Sequence, residues 1–284
     1  MTEPMDKLEA IRIDLADYEY AGEGANGMSF NHRRDPDVML KLYRPGMVQQ
    51  PLDEMLIARK VYEAGIPTPE PGDYVTDGTR FGVRFRRIRD KVSYARAIGD
   101  HPEDVVRYAE EFAGMCRGLH ATRVDTTAFE CVKDRYARQL AGNPFFTPVE
   151  KDRLLRFIQD APDTDTALHG DLQFGNAIFV GRDRSFIDLG DFSYGYPLFD
   201  IGMVYCTAYI SEPDFVREAF HMEPATAVRF WQAFAPVYFG KDRPLRDIEA
   251  EVRPFAGLKT IIVERDMGRP MPTFREALKP ILQP

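Results

Sequence analysis

The sequence predicts an α+β protein with two lobes, a small antiparallel β-sheet lobe at the N-terminus and a larger helical lobe after it. Two observations lead to this prediction. Short segments of alternating apolar residues, separated by turn residues, fill most of the first 90 residues. Longer segments with an apolar stripe at helical spacing follow as far as residue 281. We therefore expect domains at 1–90 and 91–284, with a connector near residues 87–92.

Length and composition limit the classes of function. The chain has 284 residues, 44% of them hydrophobic, which is enough to bury the core of one large domain or of two lobes. Its formal net charge of −8 argues against a nucleic acid or an anionic membrane as partner. The sequence shows neither a signal peptide nor an apolar run long enough to cross a membrane. Cys116, Cys131 and Cys206 are widely spaced without a CxxC pair, as expected of reduced thiols in a cytoplasmic protein.

Gly22, Gly24 and Gly27 form a G-x-G-x-x-G pattern, which by itself is a weak indication of phosphate binding. A dinucleotide-binding fold would need a helix directly after these glycines. Instead, residues 28–32 alternate, a turn signal follows, and Val38–Tyr43 has the pattern of another strand. The sequence therefore favours a β-hairpin whose loop amides fold over phosphates, and not the helix-based alternative.

Lys41 is the one charged residue in the apolar segment Val38–Tyr43. Strand alternation places Lys41 on the same face as Met39. A lysine inside such a strand is unfavourable unless its ammonium group meets an anion. We therefore expect Lys41 to bind phosphate and Met39 to lie against a purine ring. An exposed lysine on an edge strand is the alternative interpretation.

Residues 51–64 are predicted to form a helix, because a proline and acidic residues occupy the first turn and glycine and proline follow the last one. Glu54 shares the apolar face of this helix and is the better candidate partner for Lys41. Glu63 instead lies beside basic residues at helical spacing, as in a solvated ion pair. A favourable charge in the first turn of a helix is the alternative role of Glu54.

The remaining elements follow the same two patterns. Strands at 72–76 and 80–87 complete a predicted five-stranded sheet. Helices are predicted at 102–120, 131–140, 148–159, 197–210, 225–239, 245–263 and 273–281. The sequence shows no internal repeat and no flexible linker.

A group of polar residues between positions 168 and 191 carries the candidate chemistry. Asp171 and Asn176 lie five positions apart on a segment that Gly175 marks as a loop, and Asp188 follows a short apolar run at a predicted strand end. Carboxylate and amide oxygens suit a hard cation such as Mg2+. One acid then remains for proton transfer.

Together these features resemble the aminoglycoside phosphotransferase and choline kinase family, which has a protein-kinase-like fold. The resemblance extends from the glycine loop to Asp200 and so covers most of the chain. Its most specific parts are His169-Gly-Asp171 with Asn176, Ile187-Asp188, and Phe199-Asp200-Ile201-Gly202. The glycines and Lys41 are weaker support.

The resemblance implies an ATP- and Mg2+-dependent enzyme that phosphorylates a hydroxyl group of a small molecule, such as an aminoglycoside, a choline-like amine or a sugar. GTP remains an alternative to ATP. Asp171 would be the catalytic aspartate, and Asn176 and Asp188 would bind the Mg2+ ions. Lys41, braced by Glu54, would contact the nucleotide phosphates.

Three other residues receive weaker assignments from the resemblance. His169 and Asp200 occupy positions that brace the catalytic loop in the family. Asp191 could face the substrate or assist the metal, or it could cap a helix or solvate the loop. Gln173 and Phe174 depart from the family pattern, because many relatives have His and Pro there.

Other classes of function remain as alternatives. A catalytically inactive, nucleotide-binding regulatory protein is disfavoured because the proposed catalytic and metal-binding residues are all present. A protein kinase is disfavoured because only nine positions separate Asp191 from Asp200, which leaves little room for docking a peptide. A metal-dependent hydrolase would need a second histidine at ligand spacing, and the sequence has none.

Overall fold

The computed structural model describes residues 9–24 and 27–283. Contacts within the chain divide it into two units. The N-terminal unit takes the chain up to Lys91 together with Val180–Gly190, and the C-terminal unit comprises Val92–Phe179 and the residues from Asp191 onward. The sequence analysis did not anticipate that Val180–Gly190 returns to the N-terminal unit, because local patterns do not show which distant segment a strand contacts.

A six-stranded sheet is the main layer of the N-terminal unit. Its strands are β1 (Ile11–Arg12), β2 (Tyr18–Gly24), β3 (Gly27–His32), β4 (Val38–Tyr43), β5 (Pro71–Thr76) and β6 (Phe81–Arg86). They lie in the order β1-β5-β6-β4-β3-β2. The prediction of five strands was one strand short, because β1 pairs in parallel with β5. A strand of two residues is too short to show alternation.

Helix α1 (Gln49–Glu63) follows β4 and buries one face, which includes Glu54, Met55 and Val61. Met55 packs against Tyr74 of β5 and Val83 of β6. Leu40 and Leu42 point to the other side of the sheet, into a second cluster. Full burial of each such aliphatic side chain contributes about 1.5–3 kcal/mol. Strand alternation therefore leaves Lys41 on the face of β4 that meets α1.

Asp77 holds the turn between β5 and β6. Its carboxylate accepts hydrogen bonds from the backbone N–H groups of Thr79 at 2.9 Å and Arg80 at 2.8 Å, and it also binds both of their side chains. Burial by itself raises the pKa of Asp77, but these donors outweigh burial and lower the pKa to about 2. The turn is therefore held by an ionised carboxylate.

Asp77→Asn is expected to lower the free energy of unfolding by about 1–3 kcal/mol at pH 7, because hydrogen bonds to a charged acceptor are lost. Folding lowers the pKa of this carboxyl below its ordinary value of 3.8, so its contribution is complete above pH 3.8 and is lost as the pH falls toward 2. Urea unfolding at pH 7 and pH 3 measures the change. Asp242→Asn, at an exposed position, is the control. If the free energies of unfolding of wild type and Asp77→Asn differ by the same amount at both pH values, an ionised Asp77 carboxylate does not hold the turn.

Helices form most of the C-terminal unit. Its α-helices are α2 (Tyr94–Asp100), α3 (Val105–Ala121), α4 (Val132–Gly142), α5 (Pro148–Asp160), α6 (Leu198–Tyr209), α7 (Pro213–Phe220), α8 (Pro224–Phe239), α9 (Leu245–Leu258), α10 (Thr260–Met267), α11 (Pro272–Ala277) and α12 (Lys279–Leu282). The further strands of the chain are β7 (Val92–Ser93), β8 (Ala167–Leu168), β9 (Ala177–Val180), β10 (Asp183–Phe186) and β11 (Ser193–Tyr194). Strand β10 belongs to the N-terminal unit.

The helix predictions differ from the structure in two ways. The sequence analysis missed α2 and α7, which have seven and eight residues, because so few residues show little helical periodicity. The segments predicted as single helices at 245–263 and 273–281 are each divided in two, at Lys259 and Leu278. Lys259 thus lies at the junction of α9 and α10.

An aromatic core positions the loop that follows β8. Phe174 lies in this core, with its ring centroid 5.8 Å from that of Phe112 on α3 and 4.4 Å from that of Phe230 on α8. Phe174, where the sequence differs from the family that it resembles, therefore anchors the loop by packing against these rings. Among the described helices, none is long and apolar enough to span a membrane. Cys116, Cys131 and Cys206 are free thiols, and the first and last are buried.

Gly202 permits a close approach of α6 to α9. A Cβ atom at this position would lie 2.8 Å from backbone atoms of Phe255 and Ala256, closer than packed atoms allow. The glycine is therefore required by packing, and it sets the position of the α6 segment that carries Asp200 two residues earlier.

Candidate active site

Lys41 is the centre of an ion-pair cluster in the N-terminal unit. Its Nζ atom lies 2.8 and 3.0 Å from the two carboxylate oxygens of Glu54, and 2.9 Å from Oδ1 of Asp188. The Glu54 side chain is 7% exposed and that of Asp188 is 47% exposed. Burial by itself lowers the pKa of Lys41, but the two carboxylates outweigh burial and the pKa is raised. Lys41 is therefore an ammonium ion at neutral pH.

Asp188 has an unusual backbone conformation. Its φ angle is +61°, in the left-handed region that non-glycine residues seldom occupy. It lies two residues after β10, and the backbone N–H of Phe186 donates to the carbonyl of Pro67 at 2.8 Å. Such a conformation costs on the order of 1–3 kcal/mol, and residues that adopt it cluster at functional sites. Here it accompanies the contact between Asp188 and Lys41.

Tyr43 is a residue of this cluster that the sequence analysis missed. It lies two positions after Lys41 on the same face of β4 and is fully buried. Its hydroxyl group donates a hydrogen bond to Glu54, and its ring centroid lies 5.0 Å from the Lys41 ammonium. Tyr43 therefore contacts both members of the ion pair. The sequence feature that could have identified Tyr43 is its position two residues after the lysine on a strand, with a glutamate on the following helix.

The glycine pattern lies at the tip of the β2–β3 hairpin. Residues pair from Tyr18 with His32 to Gly24 with Gly27, so a strand and not a helix follows the glycines, as predicted. Ala25 and Asn26 of the loop lie outside the described residues.

Two of the glycines also have specific local contacts. A Cβ at Gly27 would overlap the backbone of Leu42, so this position requires glycine. Ser29 donates to the carbonyl of Gly22 at 3.2 Å. Met39 is partly buried and lies opposite Phe85 of β6.

In the C-terminal unit, the loop at 169–176 brings Asp171 and Asn176 together. The Asn176 side-chain amide donates to Oδ2 of Asp171 at 2.8 Å and to its backbone carbonyl at 3.0 Å. Because both amide hydrogens are directed at Asp171, the side-chain carbonyl oxygen of Asn176 is the atom that can bind a cation. The turn between them is stabilised by Gln173, whose side chain accepts a hydrogen bond from Gly175 N–H at 3.0 Å.

Asp200 and His169 lie behind this loop. Asp200 is 1% exposed and accepts hydrogen bonds from the backbone N–H groups of His169 at 2.7 Å and Gly170 at 2.8 Å. Burial by itself raises the pKa of Asp200, but its neighbours, first of all the hydrogen bond with His120, outweigh burial and the pKa is lowered. His169 is fully buried, and its Nδ1 atom accepts a hydrogen bond from the Asp171 N–H at 3.3 Å.

Arg135 of α4 holds the segment that contains Asp191. Its guanidinium group donates to the carbonyls of Asp191 and Phe192 and lies 3.5 Å from Oδ1 of Asp191. The Asp191 side chain is 63% exposed. Gly170 has φ of +85°, and a Cβ there would overlap the Asp191 carbonyl, so the two segments pass directly against each other. The sequence analysis missed Arg135, because an arginine on an amphipathic helix is ordinarily exposed.

The described residues contain no group of three or more His, Cys, Asp or Glu side chains placed to hold a metal ion. The ligands predicted from the sequence lie in different units, Asn176 in the C-terminal unit and Asp188 in the N-terminal unit. Each carries a hard oxygen donor of the type that Mg2+ binds, and Mg2+ usually takes few protein ligands and keeps water and phosphate oxygens for the rest.

Comparison with known proteins gives a family and a fold. Residues 23–238 match the family model described as the phosphotransferase enzyme family. No curated protein matches the sequence significantly. The solved structure of a choline/ethanolamine kinase family protein from Mesorhizobium loti is 17% identical, with a TM-score of 0.51 over 93% of this chain and 85% of that one.

Two other solved structures are similar. A thermostable mutant of aminoglycoside phosphotransferase APH(4)-Ia, in a ternary complex with ADP and hygromycin B, is 14% identical, with a TM-score of 0.63 over 94% of both chains. Amicoumacin kinase in complex with AMP-PNP, Ca2+ and Ami is 15% identical, with a TM-score of 0.58 over 95% of this chain and 90% of that one. At these identities the structures establish the α+β, protein-kinase-like fold, and the prediction of fold class is confirmed. Since the family model covers well over half of the sequence, the chain belongs to the phosphotransferase enzyme family and is a small-molecule kinase.

Proposed function

We propose that this protein transfers the γ-phosphoryl group of ATP, with Mg2+, to a hydroxyl group of a small molecule. The observation that carries the proposal is the ion-pair cluster of Lys41 with Glu54 and Asp188. Protein-kinase-like enzymes use a strand lysine paired with a helix glutamate, together with a metal-binding aspartate, to hold the nucleotide phosphates. The ADP and AMP-PNP bound to the two structural neighbours support ATP as the donor.

The N-terminal unit would hold the nucleotide. Lys41 would bind the α- and β-phosphates while Glu54 keeps its ammonium in place, and the hairpin from Gly22 to Gly27 would cover the phosphates with backbone N–H groups. Met39 would lie against the purine ring. Asn176 of the C-terminal unit and Asp188 would bind Mg2+, which neutralises charge on the phosphates when it is bound.

Asp171 would orient the acceptor hydroxyl group and accept its proton. The hydroxyl oxygen forms a bond to the γ-phosphorus, the bond from that phosphorus to the β–γ bridging oxygen breaks, and ADP leaves. His169 and Asp200 would hold the backbone on which Asp171 lies. For Asp191 we propose a loop-bracing role through Arg135, because that contact involves its backbone as well as its side chain.

The acceptor is proposed from two considerations. The chain has a net charge of −8, which suits a cationic acceptor such as an amino sugar or an amino alcohol. Two structural neighbours are complexed with hygromycin B and with Ami. We therefore place amino sugars and choline-like amines first among the candidate acceptors, followed by neutral sugars.

The proposal is tested by measuring ADP release from ATP and Mg2+ across a panel of amino sugars, amino alcohols and simple sugars, with GTP as a second donor. We expect release that depends on one class of acceptor, and we expect it to be lost in Asp171→Asn. If ATP raises the melting temperature but no acceptor in the panel supports ADP release, a regulatory nucleotide-binding protein becomes the better interpretation.

Tyr43→Phe is expected to lower kcat/KM for ATP by about tenfold, which corresponds to ~1.4 kcal/mol, close to the lower end of the ~1.5–3 kcal/mol that a hydrogen bond to a charged group contributes. The change removes one hydroxyl group and leaves the ring beside Lys41. Steady-state kinetics with ATP as the varied substrate measure the effect. Tyr74→Phe, whose hydroxyl donates to the Val48 carbonyl in the same unit, is the matched control and should leave the ATP kinetics unchanged. Equal kinetics for wild type and Tyr43→Phe would contradict a positioning role.

A further inference from the structure

A small internal cavity lies beneath the catalytic loop of the C-terminal unit. Its volume is about 10 Å³, and the residues that line it include Tyr136, Gly170, Ser193, Asp200 and Lys259. A cavity of this size holds about one water molecule, provided that two to four polar groups are available to bind it. The polarity of the lining therefore decides whether the cavity is a binding site for a water molecule or a packing defect.

Two hydroxyl groups in the lining have no partner within hydrogen-bond distance among the described residues. They belong to Tyr136, which is 2% exposed and whose hydroxyl lies near the Lys259 ammonium, and to Ser193, which is fully buried. A buried hydroxyl left without a partner costs about 1–3 kcal/mol. Two such groups around one cavity of the size of a water molecule are more readily explained if a water molecule binds both of them.

Lys259 supplies a charge at the same place. It is 5% exposed, and its ammonium group donates to the carbonyl of Gly170 at 3.2 Å. Burial by itself lowers the pKa of Lys259, but three nearby oxygen-bearing side chains outweigh burial and raise the pKa. They belong to Tyr136, Asp200 and Asp171. Lys259 is therefore a buried cation at neutral pH, directed at the loop.

Gly170 is consequently held from both ends. Its N–H donates to Asp200 at 2.8 Å, and its carbonyl accepts from Lys259 at 3.2 Å. Since Gly170 immediately precedes Asp171, these two contacts fix the direction in which the chain enters the catalytic residue. Asp200 is one half of this arrangement, and Lys259, from the junction of α9 and α10, is the other half.

We propose that Lys259 is a positioning residue for phosphoryl transfer, which holds the Gly170 carbonyl directly and binds the hydroxyl groups of Tyr136 and Ser193 through one buried water molecule. The proposal rests on the assignment of Asp171 as the catalytic aspartate. An ammonium has three donors, so it can bind the carbonyl and the water molecule at the same time. A displacement of about 1 Å at a reacting group can cost on the order of 100-fold in rate. Because Lys259 holds the residue immediately before Asp171, we expect its contact with Gly170 to affect turnover.

The test compares Lys259→Met and Lys259→Arg with Lys133→Met. Lys133 is a matched control, because it is a buried lysine of the same unit that binds the Gln159 carbonyl at 2.9 Å and the Asp163 carboxylate at 2.7 Å. The assays are run below the melting temperatures of all variants. We expect Lys259→Met to lower kcat roughly 10- to 100-fold relative to wild type, while its KM for ATP stays within about twofold of the wild-type value. Lys259→Arg should recover part of kcat, and Lys133→Met should retain all of it.

Hydrogen exchange provides a readout that does not require an acceptor. We expect the amides of a peptide covering residues 168–176 to exchange faster in Lys259→Met than in wild type or Lys133→Met. If the wild type is active and Lys259→Met shows unchanged kcat and unchanged exchange, the positioning role is overturned. If the wild type transfers no phosphoryl group but exchange increases as expected, the proposed function fails while the clamp stands. A high-resolution crystal structure should show one water molecule between Lys259, Tyr136 and Ser193, and an empty cavity would overturn that part.

Discussion

Asp171→Asn is expected to lower turnover by a factor on the order of 10²–10⁴, the range that a positioned general base contributes. The amide has the shape of the carboxylate but cannot accept the proton of the acceptor hydroxyl. In the proposed function, nucleotide binding depends on Lys41, Glu54 and Asp188, which the substitution does not change. ATP with Mg2+ should therefore still raise the melting temperature of the variant. An ADP-release assay measures the loss of turnover, and thermal unfolding with and without ATP measures whether the variant still binds the nucleotide.

Asp160→Asn is a suitable control for this experiment, because Asp160 is an exposed carboxylate in the same unit. It should behave as wild type in both measurements. If Asp171→Asn keeps turnover within about threefold of wild type, the assignment of Asp171 as the base is wrong. If the variant loses both turnover and the response to ATP, the substitution has disturbed the loop as a whole, and the Asn176 amide that donates to Asp171 would be the first contact to examine.

Lys41→Met should lower kcat/KM for ATP by about 100-fold or more, the usual effect of removing one preorganised donor from developing charge. It should also destabilise the fold by about 3–5 kcal/mol, because Glu54 loses its ammonium partner while it remains buried. Steady-state kinetics and urea unfolding measure the two effects. The assay temperature must lie below the melting temperature of the variant, so that only folded enzyme is compared.

The double variant Lys41→Met with Glu54→Gln distinguishes the two contributions. Removing the uncompensated carboxylate should restore much of the stability without restoring ATP kinetics. Lys241→Met, at an exposed lysine, is the control for loss of charge. Unchanged ATP kinetics in Lys41→Met would show that the cluster has only a structural role.

The elements that could be predicted from the sequence are those long enough to show a period. Strand β6 alternates in sequence over six residues, β4 is an apolar run interrupted by one lysine, and α3, with 17 residues, has a continuous buried stripe. Strand β1 and helix α2 are too short for this, and the division at Lys259 leaves the apolar pattern unbroken. The limits of the prediction therefore follow from the number of residues over which a period can be recognised.

The candidate site shows a similar division. Lys41 and Asp188 could be identified because a charged side chain within or after an apolar run is unusual. Tyr43 could not, because a tyrosine in a buried strand is ordinary. Lys259 lies on a helical segment where lysines are normally exposed. Its importance comes from its contact with Gly170, 89 positions earlier in the chain, which no local pattern contains.

The return of Val180–Gly190 to the N-terminal unit has a consequence for how the protein is made. When β1 to β6 have left the ribosome, Lys41 can already pair with Glu54, 13 positions away. Asp188, 147 positions away, has not yet been synthesised. Since synthesis proceeds from the N-terminus and the entropic cost of closing a loop increases with its length, the second carboxylate joins the ion pair late. A nascent chain that stops before residue 180 therefore contains the residues of all six strands of the sheet but only one of the two carboxylates that bind Lys41.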